Sequence, residues 1–530
     1  RGSNCGVFMG IASADYFYRL MDDLASIDAS VATGNTSSIA ANRLSYFFDL
    51  HGPSVAIDTA CSSSLIAFHQ ACQSILCGET THALTGGVSL HIHPAGFISF
   101  SKASMLSRQG RCNVFDADAD GYVRSEGGGI LYLKDFDAAV ADGNRILAVV
   151  ASTAVNTDGR KSGLTVPSVN AQAALLKAVY AKAGIQPDDI HYIEAHGTGT
   201  AVGDPIETRA LGEALGTKRS SGKPLLIGSV KSNIGHLEAA SGVAGLIKSL
   251  LCIQHRTVPA TIGIRKLNPN IKFSEWNLKV ASATTALPKT GKLIIGTNSF
   301  GFGGANAHVI LESYENPEAK IPRPAIIPEV PVVVTAKNAA GLNAAIEKLI
   351  GHLRSHAHLP IYDVAYTSRY FRDWHSHRAI VFGNTTEVIA ERFSHYLEGN
   401  KSSTKLSLVN SSIAIDKPIG PAFVFSGNGS QWATMGKTLL AKDVHFRNAV
   451  REVDAIFKTM AHFSLEAELN GLNAGIDETA GSSSDSTVGN TTGRSTANSN
   501  EDRFARTEIA QPALFALQVG LCAMLKHRGI

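Results

Sequence analysis

The sequence predicts an α/β protein, and three features carry the prediction. Over residues 1–315, apolar runs of strand length alternate with segments whose apolar residues recur at helical spacing. Small residues are abundant there, and the 530-residue chain holds 49 Gly. Several of the strand-like runs pass directly into glycine-rich turns that open helices, the signature of strand–helix alternation around largely buried sheets.

Taken in order, the strand candidates are 54–57, 83–89, 130–133, 146–155, 191–194, 225–230, 293–297 and 308–312. Helical spacing is clearest in 171–183 (Leu175, Leu176, Val179), in 204–215 (Ile206, Leu211, Leu215) and in 237–253 (Val243, Leu246, Ile247, Leu250, Leu251). The texture changes near Glu312. Residues 316–331 form a proline-rich linker. Residues 332–418 read as a small α+β unit, with strands 332–335 and 378–382 and helices 341–355 and 362–371. A third region, 419–530, opens with an apolar strand at 422–425 that runs into Ser426-Gly-Asn-Gly-Ser-Gln-Trp432. Within it, 472–501 is so dominated by Ser, Thr, Gly and Asn that it predicts a disordered loop.

Composition removes whole classes of function. Lys and Arg number 48 against 45 Asp and Glu, a net charge of +3, with no basic run to track phosphates or a membrane surface. The most lipid-like stretch, 239–254, is shorter than a bilayer span and contains Lys248. The seven cysteines are thinly spread without a CxxC, which argues against a disulfide framework or a zinc site and for a reducing cytosol. The chain opens Arg1-Gly2-Ser3-Asn4, without an initiator Met or a signal-peptide pattern, and so reads as part of a longer protein.

One cysteine stands apart. Cys61 lies in Val55-Ala-Ile-Asp-Thr-Ala-Cys-Ser-Ser-Ser-Leu65, where a strand ends and an amphipathic helix begins. Free N–H groups and the helix dipole at such a turn stabilise a thiolate, which predicts a lowered thiol pKa. Small neighbours let a substrate reach the sulfur. Cys72 and Cys77, inside the helix, read as ordinary small apolar residues.

Two histidines and a lysine follow strand ends in the same way. Strand 191–194 runs into Ala195-His-Gly-Thr-Gly-Thr200, and strand 225–230 into Lys231-Ser-Asn-Ile-Gly-His236. Carboxyl ends of parallel strands, next to helix starts, are where α/β proteins hold ligands. Taken singly, most of the 19 histidines are surface or structural residues, and His51, His91, His93, His255 and His375 have no context that lifts them above that. The three segments together, in this order, say more than any one.

Those residues resemble the β-ketoacyl synthase (condensing enzyme) family, and in particular the ketosynthase of type I polyketide synthases. The likeness rests on Asp58-Thr-Ala-Cys-Ser-Ser-Ser-Leu65, Glu194-Ala-His-Gly-Thr-Gly-Thr200, Gly203-Asp-Pro-Ile-Glu207, Lys231-Ser-Asn-Ile-Gly-His236 and Asn298-Ser-Phe-Gly-Phe-Gly-Gly-Ala-Asn-Ala-His308. Ser38-Ile-Ala-Ala-Asn-Arg-Leu-Ser-Tyr-Phe-Phe48 and Phe115-Asp-Ala-Asp-Ala-Asp-Gly-Tyr-Val-Arg124 extend it. The resemblance implies a thiolase-like layered αβαβα fold over 1–315. Cys61 comes much sooner than in complete ketosynthases, which implies that the first strands and helices of that domain are missing. By the same resemblance 332–418 is the linker between ketosynthase and acyltransferase. Phe423-Val-Phe-Ser-Gly-Asn-Gly-Ser-Gln-Trp432 and Glu508-Ile-Ala-Gln-Pro-Ala-Leu514 resemble the start of an α/β acyltransferase. Asn428 stands where that family usually has Gln, and no G-x-S-x-G nucleophile motif precedes Ile530, so transfer from coenzyme A is not expected of this chain.

The family's roles carry over residue by residue. Cys61 matches the cysteine that takes the growing acyl chain as a thioester. His196 and His236 match the pair that hydrogen-bonds the malonyl thioester carbonyl, and Lys231 the lysine that supports their network. Thr198 and Thr200 match contacts to the phosphopantetheine arm. The N–H groups of Cys61 and Phe302 match the oxyanion hole, with Phe302 also the gate to the acyl pocket. The implied partners are an acyl carrier protein, which brings the phosphopantetheine, acyl and malonyl-type thioesters, and a second copy of the chain. No metal, no cofactor held by the chain itself, no nucleic acid and no membrane are expected. Other readings are a fatty-acid or polyunsaturated-lipid synthase, a non-catalytic dimerising scaffold that docks carrier protein, and a papain-type hydrolase. The scaffold is disfavoured by the retention of Cys61, His196 and His236. The hydrolase is disfavoured because two histidines and a lysine suit an enolate better than a single Cys–His pair.

Overall fold

The computed structural model describes residues 2–21, 23–315, 329–398, 408–411, 422–472 and 503–530. Nearly all of the expected disordered loop, and most of the proline-rich linker, lie outside them. The chain divides into two compact units, 1–320 and 321–530.

The first unit is built on two sheets. One has four strands, with the wholly buried Cys5–Gly10 flanked in parallel by Ser54–Ile57 and His82–Ser89, and Gly127–Lys134 closing it antiparallel. The other has six strands, in the order Val149–Thr157, Ala305–Glu312, Ile294–Phe300, Tyr192–Glu194, Leu225–Gly228 and Leu278–Val280. Its last four run parallel, and Ala305–Glu312 is antiparallel to both neighbours.

Helices Ser63–Leu76 and Ser241–His255 pack on each other and each touches strands of both sheets, forming the middle layer. Ser64 Oγ accepts the Val243 N–H at 3.0 Å and pins them together. Ser37–Phe48 covers the outer face of the smaller sheet, and Val169–Ala183 lies on the larger one. The order is the αβαβα layering of a thiolase-like fold.

Three details depart from the sequence reading. No helix starts at Leu237: a short helix Lys231–Ile234 ends at Gly235, whose φ of +76° few other residues adopt, and a 3₁₀ turn, Glu238–Ala240, precedes the helix proper at Ser241. Strands Cys5–Gly10 and Leu278–Val280 were not foreseen: the first is buried along its whole length and shows no alternation, and the second has only three residues. Residues 422–425 form no strand: no described strand lies beside them, and Val424 is 92% exposed. Without a pairing partner an apolar run gains nothing from extending.

In the second unit, strands Val330–Ala336, His377–Gly383 and Leu408–Ser411 make an antiparallel sheet covered by helices Ala339–Ser355, Ile361–Tyr370 and Thr386–Leu397. The first of these strands begins inside the expected linker. It tolerates Pro331 because it lies at the sheet's edge. Farther on, Thr507–His527 packs on Val444–Phe457. At 21 residues it is long and apolar enough to cross a bilayer, but Ile509, Ala513, Leu514 and Met524 are buried in the unit's own core.

Candidate active site

The turn that carries Cys61 is fastened from within. Asp58 Oδ1 accepts the Ala60 N–H at 2.9 Å. Ser63 Oγ accepts the Thr59 N–H at 2.9 Å and donates to the Ala60 carbonyl at 2.6 Å. Ala60 is held at φ +56°, a left-handed conformation that costs a non-glycine residue energy and marks a functional turn. Cys61 thus sits in the 3₁₀ turn Ala60–Ser62, directly before helix Ser63–Leu76.

The other half of the unit then grips it. The Cys61 carbonyl accepts hydrogen bonds from Ser241 Oγ at 3.0 Å and Ser299 Oγ at 2.8 Å. Gly301 permits the close approach of the Phe300–Phe302 loop, since a Cβ there would fall 2.4 Å from the Thr59 carbonyl oxygen. The N–H groups of Phe302 and of Cys61 itself reach the sulfur. Phe302 is 43% exposed at this mouth.

His196 leaves the end of strand Tyr192–Glu194, and its position is set by a buried acid that the sequence reading passed over. Glu207 accepts the N–H groups of His196 at 2.7 Å and Gly197 at 2.8 Å, and the Asn298 side-chain amide at 2.8 Å. Asp204, one turn earlier on the same helix, accepts the N–H groups of Phe115 at 2.9 Å, and of Thr198 and Gly199 at 3.1 Å each. The signal was in the quoted motif, where two acids three residues apart open a helix just after a glycine loop short of acceptors.

His236 is threaded between the backbone of Val123 and Ser125, donating to one at 2.8 Å and accepting from the other at 2.9 Å. The rings of His196 and His236 meet edge to face, 5.5 Å between centroids. The ligand-type atoms of Cys61, His196 and His236 all lie within 4.8 Å of one another. Lys231 is buried nearby, close enough to act electrostatically on all three. The Thr198 and Thr200 hydroxyls are 3.1 Å apart, the first buried and the second half-buried.

Electrostatics decides the protonation states. Burial, helped by the Lys231 charge, holds both imidazoles well below the ordinary histidine range, so they are neutral at pH 7. Nδ1 of His196 accepts the Phe300 N–H at 3.3 Å, and Nδ1 of His236 accepts the Glu238 N–H at 2.9 Å. Each ring's single proton therefore belongs on Nε2. Metal ligation through Nε2 would require moving that proton to Nδ1, where a backbone N–H already donates in each ring.

Cys61 corrects an expectation. Burial, and then the Glu238 carboxylate, push its thiol up to about 12, outweighing Lys231 and the two N–H groups that pull it down. The sequence shows the turn but not the desolvation.

Comparison with known proteins identifies the family. Residues 1–139 match the "Beta-ketoacyl synthase, N-terminal domain" model, and 147–265 its "C-terminal domain" model. Residues 268–382 match the "Ketoacyl-synthetase C-terminal extension" and 422–530 an "Acyl transferase domain". A Streptomyces albus oxazolomycin ketosynthase domain superposes with a TM-score of 0.68 at 36% identity, covering 77% of this chain and 71% of that one. The chain belongs to the β-ketoacyl synthase family.

A second solved ketosynthase, from module 6 of the Bacillus subtilis bacillaene synthase, gives a TM-score of 0.66 at 32% identity over 90% of this chain and 76% of that one. Among curated relatives, a phenolphthiocerol/phthiocerol polyketide synthase of Mycobacterium tuberculosis is 43% identical over 472 residues, 88% of this ketosynthase chain and 25% of that protein. A reducing polyketide synthase of a Penicillium species is 37% identical, covering 100% of this chain and 21% of its own. The ketosynthase chain thus spans a quarter or less of the length of these two curated relatives.

Proposed function

We propose that this ketosynthase performs decarboxylative Claisen condensation in polyketide assembly. The observation that carries the reading is the meeting of one buried sulfur with two neutral imidazoles whose Nδ1 atoms are both occupied by backbone N–H groups.

Cys61 sulfur attacks the thioester carbonyl of an acyl group carried on a phosphopantetheine arm. The developing oxyanion is met by the N–H groups of Cys61 and Phe302, and the carrier thiol leaves with the proton. A malonyl-type thioester then takes its place, its arm passing the Thr198 and Thr200 hydroxyls. Its carbon–carboxylate bond breaks, CO₂ departs, and the electron pair moves into an enolate whose oxygen accepts from Nε2–H of His196 and His236. The enolate carbon attacks the acyl-Cys61 carbonyl and the Cys61 thiolate is expelled, leaving a β-ketoacyl thioester on the carrier. Covalent capture holds both acyl groups in one site, which removes much of the entropic barrier.

Neutral donors suit this step. They strengthen as charge develops on the oxygen, while a protonated imidazole would hold the malonyl carboxylate as tightly as the enolate and gain less. The polyketide reading is preferred to a fatty-acid one because the relatives named above are polyketide synthases. The partners would be an acyl carrier protein and a second copy of the chain, in a reducing cytoplasm consistent with seven unpaired cysteines.

The test is acyl labelling. Incubation with an acyl thioester should add the acyl mass to Cys61, and Cys61→Ala should abolish it; label that persists in the variant removes the assigned nucleophile.

A further inference from the structure

Arg124 plays no part in that chemistry, yet it lies in the wall between two of its components. Its Nε donates to Glu238 Oε1 at 2.9 Å, with side chains only 6% and 12% exposed. Its guanidinium lies over the rings of Phe97 and Phe100, 4.9 and 5.2 Å from their centroids. Nη1 is buried without a hydrogen-bond partner among the described residues. The group is therefore held by one ion pair and two ring faces.

Each end of this arrangement touches the site. Phe100 meets Phe302 edge to face, 5.8 Å between centroids. Glu238, at a left-handed φ of +48°, donates its N–H to Nδ1 of His236. The Tyr122 hydroxyl also bonds the Glu238 carboxyl group, and the Tyr122 ring stands 4.9 Å from that of His236. Contacts thus run unbroken from Phe302 through Phe100, Arg124 and Glu238 to His236.

We infer that the Arg124–Glu238 pair is a positioning device that links the gate residue Phe302 to His236, so that an acyl chain displacing Phe302 resets the donor used in decarboxylation. The inference rests on the condensing role proposed above. A planar guanidinium can lie over two rings while forking to a carboxylate, whereas an ammonium keeps the charge and loses the stacking. A shift of Phe302 moves Phe100, and through the guanidinium it moves the residue that fixes the His236 tautomer.

The test is a double-variant cycle in the full chain with malonyl-N-acetylcysteamine, reading CO₂ release and, separately, acyl transfer to Cys61. R124K and F302L should each slow CO₂ release about tenfold while Cys61 is still acylated, and the double variant should be no slower than the slower single within about twofold. A double variant slowed by the product of the two single effects would show independent sites and overturn the inference. So would an R124K enzyme with unchanged CO₂ release. Should R124K fail to take an acyl group, F100L replaces it in the same cycle and is judged by the same two outcomes. Wild-type protein that neither takes an acyl group nor releases CO₂ would instead refute the condensing role itself.

Discussion

The backbone N–H of Glu238 donates to Nδ1 of His236 across 2.9 Å, and that bond decides where the ring keeps its proton. Together with the Phe300 N–H on His196 Nδ1, it turns the buried His236 and the half-buried His196 into matched donors. In selectively ¹⁵N-histidine-labelled protein, both rings should show the Nε2–H tautomer at pH 7. An Nδ1–H tautomer at either position would undo the assignment of that ring as an enolate donor.

The same burial gives a pH dependence. Both folded histidines sit well below their ordinary value near 6.5, so the unfolded chain takes up protons first as pH falls. The stability they supply is present above about pH 6.5 and is lost below it. The fall in Tm between pH 7 and pH 5 should be shallower in His196→Asn than in wild type; an equal or steeper fall would mean that His196 is not held neutral by the fold.

Cys61 should behave as a slow thiol in the resting site. With its thiol pushed up to about 12, alkylation by iodoacetamide should rise about tenfold per pH unit from 7 to 9 without a plateau. Saturation below pH 8 would restore the low-pKa thiolate that the sequence alone suggests. Glu238→Gln removes the second-largest cause of the rise and should speed alkylation at a fixed pH.

Much of this was legible in the sequence, and the remainder was hidden for definable reasons. Cys61 and His196 each follow a strand end at a small-residue turn, and His236 follows Gly235 at the end of a short helix, all of which is local information. Glu207 and Asp204 stand in a motif that was visible, but their role depends on which loop folds back onto them. The Arg124–Glu238 pair joins positions more than a hundred residues apart and has no local pattern at all. The Cys61 thiol was misjudged because a helix start is written in the sequence whereas desolvation is not. Residues 422–425 have the side chains of a strand, but a strand also needs a neighbour.

Glu207 offers a stability test of the residue that positions His196. Glu207→Ala leaves two backbone N–H groups and the Asn298 amide buried without their acceptor, at about 1–3 kcal/mol each before relaxation. Denaturant unfolding should show a loss of several kcal/mol, with Glu207→Gln costing less. Near-neutral stability in the alanine variant would mean that the loop holds itself.

The division of labour between one sulfur and two imidazoles is tested most directly by following both half-reactions in His196→Ala and His236→Ala. CO₂ release from a malonyl thioester should fall by ~10²–10³ in each variant, the cost of removing one preorganised donor to an oxyanion, while transfer of an acyl group to Cys61 stays within about tenfold of wild type. Equal loss of both steps, or CO₂ release that survives either substitution, would contradict it.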